Sequence, residues 1–146
     1  MEDFTRILVP VDGSDSSAKA VARAVKLARI CGSSIDFLYV ANITGVTGGL
    51  QLSKPITLPD EILEKLKTVG NAAMDKVLEQ VPDDLPTERY CEAGLPAETI
   101  LEFAEKHGSD LIVVGSRGLT VAEGIWLGSV SRYLVERSKC PVMVVK

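Results

Sequence analysis

Short apolar runs alternate with longer amphipathic stretches over most of the chain. Four runs are almost continuously apolar, namely residues 7–11, 35–40, 111–114 and 142–145, and a more polar run lies around residues 89–91. Continuous apolar runs are typical of strands that are covered on both faces of a parallel sheet. The sequence therefore predicts five strands, with the polar run expected toward an edge of the sheet.

The stretches between these runs predict four helices. The first has its N-cap within residues 14–16 and ends at Gly32, and the second begins after Pro59 and ends at residues 81–82. The third begins at Pro96 and ends at residues 107–108, and the fourth runs from Gly128 to about residue 138. Serine is a favoured N-cap, proline suits a first helical position, and glycine commonly follows a helix end.

Apolar residues at helical spacing predict the side of each helix that faces the core. Gly70 interrupts the second helix at a cost of about 1 kcal/mol relative to alanine, which allows for a local bend. The residues predicted to face inward are Ala18, Val21, Ala22, Val25 and Ala28 in the first helix, Ile62, Leu66, Val69, Ala73 and Val77 in the second, and Ala97, Ile100, Leu101 and Ala104 in the third.

Strands and helices alternate regularly, which predicts a doubly wound α/β domain with a parallel sheet. No linker or composition shift divides the chain, so residues 1–146 are expected to form a single domain. The long irregular segment 41–58 contains several glycines, and a loop of that length is usually functional or mobile.

Composition narrows the choice of partner. The net charge is −4 and the isoelectric point about 5.0, which disfavours nucleic acid as a partner because phosphate neutralisation needs clustered lysine and arginine.

The first residues do not resemble a secretory signal, and no run of about 18 apolar residues predicts a membrane span, so a cytosolic location is expected. Cys31, Cys91 and Cys140 are widely spaced, and we expect buried free thiols.

Glycines are concentrated where the predicted strands end. In open parallel sheets, ligands bind beyond the carboxyl ends of the strands, at the point where the strand order reverses. Gly115 and Gly118 follow the fourth strand, where a side chain would otherwise obstruct a ligand. The fourth helix begins at Gly128, and the unpaired amides of a helix start suit an anion, with hydroxyl groups nearby on Ser129 and Ser131. These features together predict a phosphate site.

The glycine spacing is also characteristic of a known family. The pattern Gly115-x2-Gly118-x9-Gly128-Ser129, with ILVPVDGS at the first strand and CPVMVV at the last, resembles the ATP-binding branch of the universal stress protein family. The resemblance covers residues 7–145. It implies a Rossmann-like sheet of strand order 3-2-1-4-5, an adenine nucleotide across its carboxyl edge, and a homodimer that pairs through residues 142–145.

The resemblance further implies which residues contact the adenosine part of the nucleotide. Pro10, Val11 and Asp12 would line this side, with Asp12 near the ribose, and the backbone of Val40 would meet the adenine edge.

The phosphates would be held at the opposite end of the site. Gly115, Arg117 and Gly118 would approach the ribose and phosphates, and the guanidinium of Arg117 suits bidentate binding of phosphate oxygens. Family members bind the nucleotide with magnesium or manganese, for which this sequence identifies no ligands. The residues implied to hold the phosphate tail are Gly128, Ser129, Val130 and Ser131.

Missing motifs limit the chemistry. The chain contains no GxxxxGK[ST], GxGxxG or GxSxG segment, and we assign no catalytic residue. His107, the single histidine, is expected on the surface at a helix end, where it complements the helix dipole. We therefore expect ATP hydrolysis to be slow or absent. The resemblance to universal stress proteins implies a regulatory role in the stress response.

Two alternatives remain open. The segment from Asp12 to Ser16 partly matches the SGGxDS loop of ATP pyrophosphatases, which would make the protein an adenylating enzyme, although Val11-Asp12 replaces the Ser-Gly start. The other alternative is an interaction module of the same fold that binds no nucleotide.

Overall fold

The computed structural model describes residues 3–43, 58–118 and 127–146. Strands and helices alternate throughout these segments, as the sequence pattern predicts. The elements in chain order are β1 (Arg6–Pro10), α1 (Asp15–Cys31), β2 (Ser34–Asn42), α2 (Asp60–Leu78), β3 (Thr87–Gly94), α3 (Pro96–His107), β4 (Leu111–Gly115), α4 (Ser129–Arg137) and β5 (Val142–Val145). The predicted strands and helices are therefore all present, with ends that differ by up to three residues.

All the strands are parallel and form one sheet of order β3-β2-β1-β4-β5. This is the strand order implied by the sequence resemblance, and it is confirmed. β3 lies at one edge and is mostly exposed, which confirms the interpretation of the polar run around residues 89–91. The chain winds away from β1 in both directions, so the strand order reverses between β1 and β4.

Helices cover both faces of the sheet and create two apolar layers. One layer packs α1 and α2 against the sheet and includes Ala24, Phe37 and Met74. The other packs α3 and α4 against the opposite face and includes Leu38, Phe103 and Leu134. Adjacent residues Phe37 and Leu38 of β2 thus enter opposite layers, which explains why the strand sequence is apolar at consecutive positions.

The ends of α1 follow the predicted capping chemistry. Ser14 is the N-cap, and its hydroxyl oxygen accepts the amide proton of Ser17 at 3.1 Å. Gly32 follows the helix with φ of 70°, a left-handed conformation that favours glycine. The first turn of α1 is therefore fixed firmly next to the carboxyl end of β1.

Several predicted inward faces are wrong by part of a helical turn. In α1 the buried alanines include Ala20 and Ala24, whereas Ala22 is exposed. In α2 Val69 is 57% exposed, and the buried face comprises Gly70, Met74, Val77 and Leu78. In α3 Phe103 is buried although it was not predicted to face inward, whereas the predicted Leu101 is partly buried and packs against the core. Alanine and glycine carry little hydrophobic signal, so the tertiary contact decides which of them face the core.

Gly70 has a packing role that its helix propensity conceals. A Cβ atom at this position would lie 2.6 Å from both Cys91 Sγ and Tyr39 Cδ1. α2 remains one helix from Asp60 to Leu78, and the missing side chain allows it to lie directly on these two residues. The helix-propensity cost of glycine is thereby offset by close packing on β2 and β3.

The cysteines differ from the prediction of buried thiols. Cys31, Cys91 and Cys140 are all free and all partly exposed, because they lie at a helix end, on an edge strand and in the connection before β5.

No helix in the described part of the chain is long and apolar enough to cross a membrane. The predicted loop 41–58 falls largely outside the described residues.

Candidate functional site

A cavity of about 380 Å³ lies at the carboxyl edge of the sheet, beside the point where the strand order reverses. Its volume is within the usual range for small-molecule sites. All the binding residues predicted from the sequence line this one cavity, namely Pro10, Val11, Asp12, Val40, Gly115, Arg117, Gly118, Gly128, Ser129, Val130 and Ser131. Residues that lie more than 100 positions apart are thus brought together.

Further lining residues were missed by sequence reasoning. Leu38, Ile100 and Val114 belong to apolar runs, so nothing in the sequence distinguishes them from ordinary core residues. Tyr39 and Asn42 lie at the end of β2, where a polar side chain after an apolar run is a detectable signal. Ser17 and Pro96 complete the set of lining residues that were not predicted.

Asp12 is the single carboxylate among the described lining residues. Its Oδ1 accepts the amide proton of Ser14 at 2.9 Å, immediately after β1. Its Oδ2 lies 3.2 Å from the position that a Cβ of Gly118 would occupy, so the carboxylate contacts the loop after β4. Asp12 therefore places a fixed negative charge between the two strands that border the site.

The aromatic ring of Tyr39 forms part of the wall on the β2 side. Burial raises the pKa of the Tyr39 phenol above its usual value of 10.0, with smaller contributions from Cys91 and from the carboxylate of Asp12. The phenol consequently stays protonated near neutral pH and retains a hydroxyl proton to donate.

Gly115 contacts protein rather than open space. A Cβ at Gly115 would lie 2.5 Å from Ser16 Oγ and 2.7 Å from the carbonyl carbon and oxygen of Ser16. The glycine therefore allows the start of α1 to pack on the end of β4, whereas the sequence analysis attributed it to clearance for a ligand. The ligand cavity and this helix–strand contact share the same short segment.

Ser116 connects three elements through its main chain. Its amide donates to the carbonyl oxygen of Val145 at 2.9 Å, which joins it to the end of β5. Its carbonyl oxygen accepts the amide proton of Gly128 at 2.7 Å and lies 3.1 Å from the hydroxyl oxygen of Ser131. The loop after β4 is thus tied to the last strand on one side and to the start of α4 on the other.

The start of α4 faces the cavity without a capping side chain. Gly128 is its N-cap, and within the described part of the chain no side chain caps the first amides of the helix. The first amides of a helix have no intrahelical acceptor and carry partial positive charge. Ser129, Val130 and Ser131 line the cavity, and helix starts of this kind commonly bind anions.

The hydroxyl of Ser131 has a different role from the predicted one. Ser131 is 2% exposed, and its hydroxyl lies 3.0 Å from the carbonyl oxygen of Gly128 as well as 3.1 Å from that of Ser116. A hydroxyl has one proton, which is donated to these carbonyl oxygens inside the protein. The hydroxyl of Ser131 therefore braces the helix start, and the exposed residue Ser129 is the one with a hydroxyl at the surface of the site.

Arg117 is the single cationic residue among the described lining residues, and it is exposed. Its main-chain amide donates to Ser16 Oγ at 3.1 Å. The described residues form no group of three His, Cys, Asp or Glu side chains that would hold a metal ion. Charge at this cavity therefore comes from Asp12, Arg117 and the amides of α4.

His107 lies far from this cavity, in the last turn of α3. Its ring is stacked on Phe103 with centroids 3.7 Å apart, and its Nδ1 lies 3.0 Å from the carbonyl oxygen of Phe103. It is partly buried, which the expectation of a surface residue did not anticipate.

The sequence profile of the universal stress protein family matches residues 3–146. The chain belongs to the universal stress protein family. It is similar to the universal stress protein YxiE of Bacillus subtilis, with 36% identity over 148 residues that cover 98% of this chain and 99% of YxiE.

Solved structures of the family have the same fold. The structure of MJ0577 from Methanocaldococcus jannaschii gives a TM-score of 0.81 at 26% identity and covers 99% of this chain and 96% of that one. A universal stress protein in complex with cAMP gives a TM-score of 0.62 at 26% identity, over 98% of this chain and 97% of that protein.

Proposed function

We propose that this universal stress protein binds an adenine nucleotide, with ATP as its principal ligand, and regulates partner proteins according to occupancy. The observation that carries the proposal is the uncapped start of α4, which faces the same cavity as Arg117. Unpaired helix amides and a guanidinium are two independent features that suit phosphate oxygens.

The charges at the cavity favour one orientation of the nucleotide. The phosphates would lie at Ser129–Val130–Ser131 and Arg117, where the groups are positive. Asp12 would repel phosphate but accept hydrogen bonds from ribose hydroxyls, so the sugar would lie beside it. The base would then enter the apolar part of the cavity between Leu38 and Ile100.

The universal stress protein in complex with cAMP supports an adenine nucleotide as the class of ligand. cAMP and ATP share adenosine but differ in phosphate charge and length. In this chain the anion site includes both the helix amides and Arg117, which favours the more highly charged triphosphate. Competition between ATP and cAMP measures this preference directly.

Hydrolysis in this site is expected to be slow or absent. Asp12 is the single carboxylate among the described lining residues, and it already accepts the Ser14 amide proton. Rapid hydrolysis needs a base that positions and activates water, in addition to electrostatic stabilisation of the phosphates. The described lining residues provide the second of these and no dedicated group for the first.

Magnesium or manganese would be held mainly by the nucleotide itself. Both ions prefer oxygen ligands, and phosphate oxygens commonly supply several of them. Asp12 is the carboxylate that the described lining offers for a further bond, and water molecules would complete the coordination. Nucleotide affinity measured with and without each ion tests this part of the proposal.

We also propose a cytosolic homodimer that forms through β5. The carbonyl oxygens of Pro141 and Val145 accept from Ile112 and Ser116 on the β4 side. Since main-chain direction alternates along a strand, the amides of Val142 and Val144 face away from β4. An apolar edge strand with outward amides suits pairing with a second copy.

The adenylating-enzyme alternative receives less support. The Ser14 amide, which would be available to pyrophosphate in a glycine-rich loop, donates to Asp12 Oδ1 at 2.9 Å. A carboxylate at this point also repels a pyrophosphate group. Release of pyrophosphate from ATP in the presence of acceptor substrates would revive this alternative.

Isothermal titration calorimetry with ATP, AMP, cAMP and adenosine tests the proposed function, together with mass spectrometry of small molecules released from freshly purified protein. We expect ATP to bind more tightly than adenosine because only ATP reaches the start of α4. No binding of any of these compounds at millimolar concentration would favour the nucleotide-free interaction module instead.

A further inference from the structure

The loop after β4 carries the single cation of the described cavity lining, and its conformation decides where that cation points. Arg117 is exposed, and no ion pair with another described residue holds its guanidinium. Ordering a free arginine side chain costs up to about 2 kcal/mol in conformational entropy. Prior restraint of the main chain at Arg117 would remove the additional cost of ordering the backbone when an anion binds.

Ser16 provides such a restraint from a distant part of the sequence. It lies in the first turn of α1, and its hydroxyl oxygen accepts the amide proton of Arg117 at 3.1 Å. The first turn of α1 is itself fixed by the Ser14 cap and by Ser17 Oγ, which donates to the carbonyl oxygen of Ser14 at 2.9 Å. The acceptor for the Arg117 amide is therefore held on a rigid element.

Close packing fixes the distance between the two segments. The end of β4 approaches Ser16 so closely that a Cβ on Gly115 would lie 2.5–2.7 Å from Ser16 atoms. Ser116 is anchored at the same time to Val145 and to Gly128. The peptide that joins Ser116 to Arg117 is thus held on both sides, with its carbonyl bonded to Gly128 and its amide bonded to Ser16.

We infer that Ser16 is a positioning residue for the phosphate end of the nucleotide, acting through the main chain of Arg117. This inference rests on the proposed function and adds a residue to it. Ser16 is absent from the lining of the cavity, so it acts on the ligand indirectly. Its contribution should appear with nucleotides that carry a phosphate tail and should be absent for adenosine.

The test is a double-mutant cycle of Ser16→Ala and Arg117→Gln, with ATP and adenosine affinities measured by calorimetry on the full-length protein. Ser16→Ala removes one hydrogen bond, and we expect ATP affinity to fall about threefold to tenfold while adenosine affinity changes less than about twofold. In the Arg117→Gln background, Ser16→Ala should have almost no further effect on ATP affinity. A merely structural role would lower the affinity equally in both backgrounds and for both ligands.

Two further variants control for stability and packing. Ser138→Ala removes a serine hydroxyl that donates to the Cys140 carbonyl oxygen at 2.8 Å, and it should leave ATP affinity unchanged because that hydroxyl is not part of the site. Ser16→Thr retains the hydroxyl and should bind ATP within about twofold of the wild-type protein. Equal weakening by Ser16→Thr and Ser16→Ala would attribute the effect to packing and overturn the inference.

The outcomes separate the two proposals. Wild-type protein that binds both ATP and adenosine, with Ser16→Ala unchanged, would overturn the role of Ser16 and leave the proposed function intact. Wild-type protein that binds neither compound would overturn the proposed function, and the role of Ser16 with it.

Discussion

The hydroxyl oxygen of Ser131, in the first turn of α4, lies 3.1 Å from the carbonyl oxygen of Ser116, at the end of β4. This contact joins two segments that both line the cavity region, and it is buried from solvent. The anion site that we propose therefore depends on a hydrogen bond inside the protein as well as on groups that face the ligand.

Ser131→Ala should lower the free energy of unfolding by about 1 kcal/mol, because the carbonyl oxygens of Ser116 and Gly128 lose the hydroxyl donor that they share. Urea unfolding of the wild-type protein and the variant gives the difference. Ser129→Ala, on the exposed side of the same turn, should stay within about 0.5 kcal/mol of the wild-type protein. Equal destabilisation by both changes would contradict the internal role of Ser131.

Gly128→Val should weaken ATP binding at least about tenfold, equivalent to about 1.4 kcal/mol. Gly128 has φ of −69°, a conformation that valine adopts readily, so the loss would come from the added side chain at the wall of the cavity. Calorimetry with ATP and adenosine measures it, and the adenosine affinity should change less. A folded variant with unaltered ATP affinity would exclude the start of α4 as the anion site.

Gly70→Ala tests whether packing or helix propensity dominates in α2. Alanine favours a helix by about 1 kcal/mol, but its Cβ would lie 2.6 Å from Cys91 and Tyr39 atoms. We expect net destabilisation of about 1–3 kcal/mol, measured by chemical unfolding. Asn71→Ala on the exposed side of the same helix should be neutral or slightly stabilising. A stabilised Gly70→Ala variant would show that α2 adjusts its position freely.

Asp110 should make stability depend on pH at the end of the molecule opposite the cavity. Burial alone would raise the pKa of its carboxyl, but hydrogen bonds from the amide and hydroxyl of Thr5 and from the amide of Arg6 hold it below 3.8. A lowered folded-state pKa gives stability that is present above about pH 3.8 and is lost as the pH falls through the folded value.

The variant Asp110→Asn isolates this contribution. Near neutral pH it should be less stable than the wild-type protein by about 1 kcal/mol, a low value because the site is partly exposed. Urea unfolding repeated at decreasing pH should show the gap closing as the pH falls below about 3.8. A gap that stays constant with pH would mean that the charge of Asp110 is not responsible.

Val144→Pro should convert the proposed dimer to a monomer. Proline removes one of the two outward amides of β5 while the amides that face β4 remain, so the sheet itself should persist. Light scattering coupled to size-exclusion chromatography measures the mass. The matched control is Val144→Ala, which changes the side chain but retains the amide, and it should remain dimeric. A wild-type monomer at micromolar concentration would exclude pairing through β5.

The strands and the location of the cavity could be predicted from sequence because their signals are local. Continuous apolar runs indicate buried parallel strands, and glycines at their ends mark the edge where ligands bind. The roles of individual groups depend on tertiary contacts instead. Gly115 must lack a side chain because Ser16, about a hundred residues away, packs against it. The hydroxyl of Ser131 is oriented by its hydrogen bond to the carbonyl oxygen of Ser116.

Residues with weak or ambiguous signals could not be assigned in advance. Ala20 and Ala22 are chemically identical, yet one is buried and the other exposed, because the roll of α1 on the sheet decides between them. Leu38 and Ile100 have the same composition signal as any core residue, although they line the cavity. Periodicity identifies a helix or strand but does not determine which buried side chain borders an empty volume.

The amide of Ser116 donates to the carbonyl oxygen of Val145, the final residue of the edge strand, so Ser116 connects the edge of the sheet to the loop that borders the cavity. A macromolecule that pulls the end of that strand outward must also move the segment that carries Arg117. By thermodynamic linkage, a macromolecule whose binding there changes nucleotide affinity by some factor has its own affinity changed by the nucleotide by the same factor.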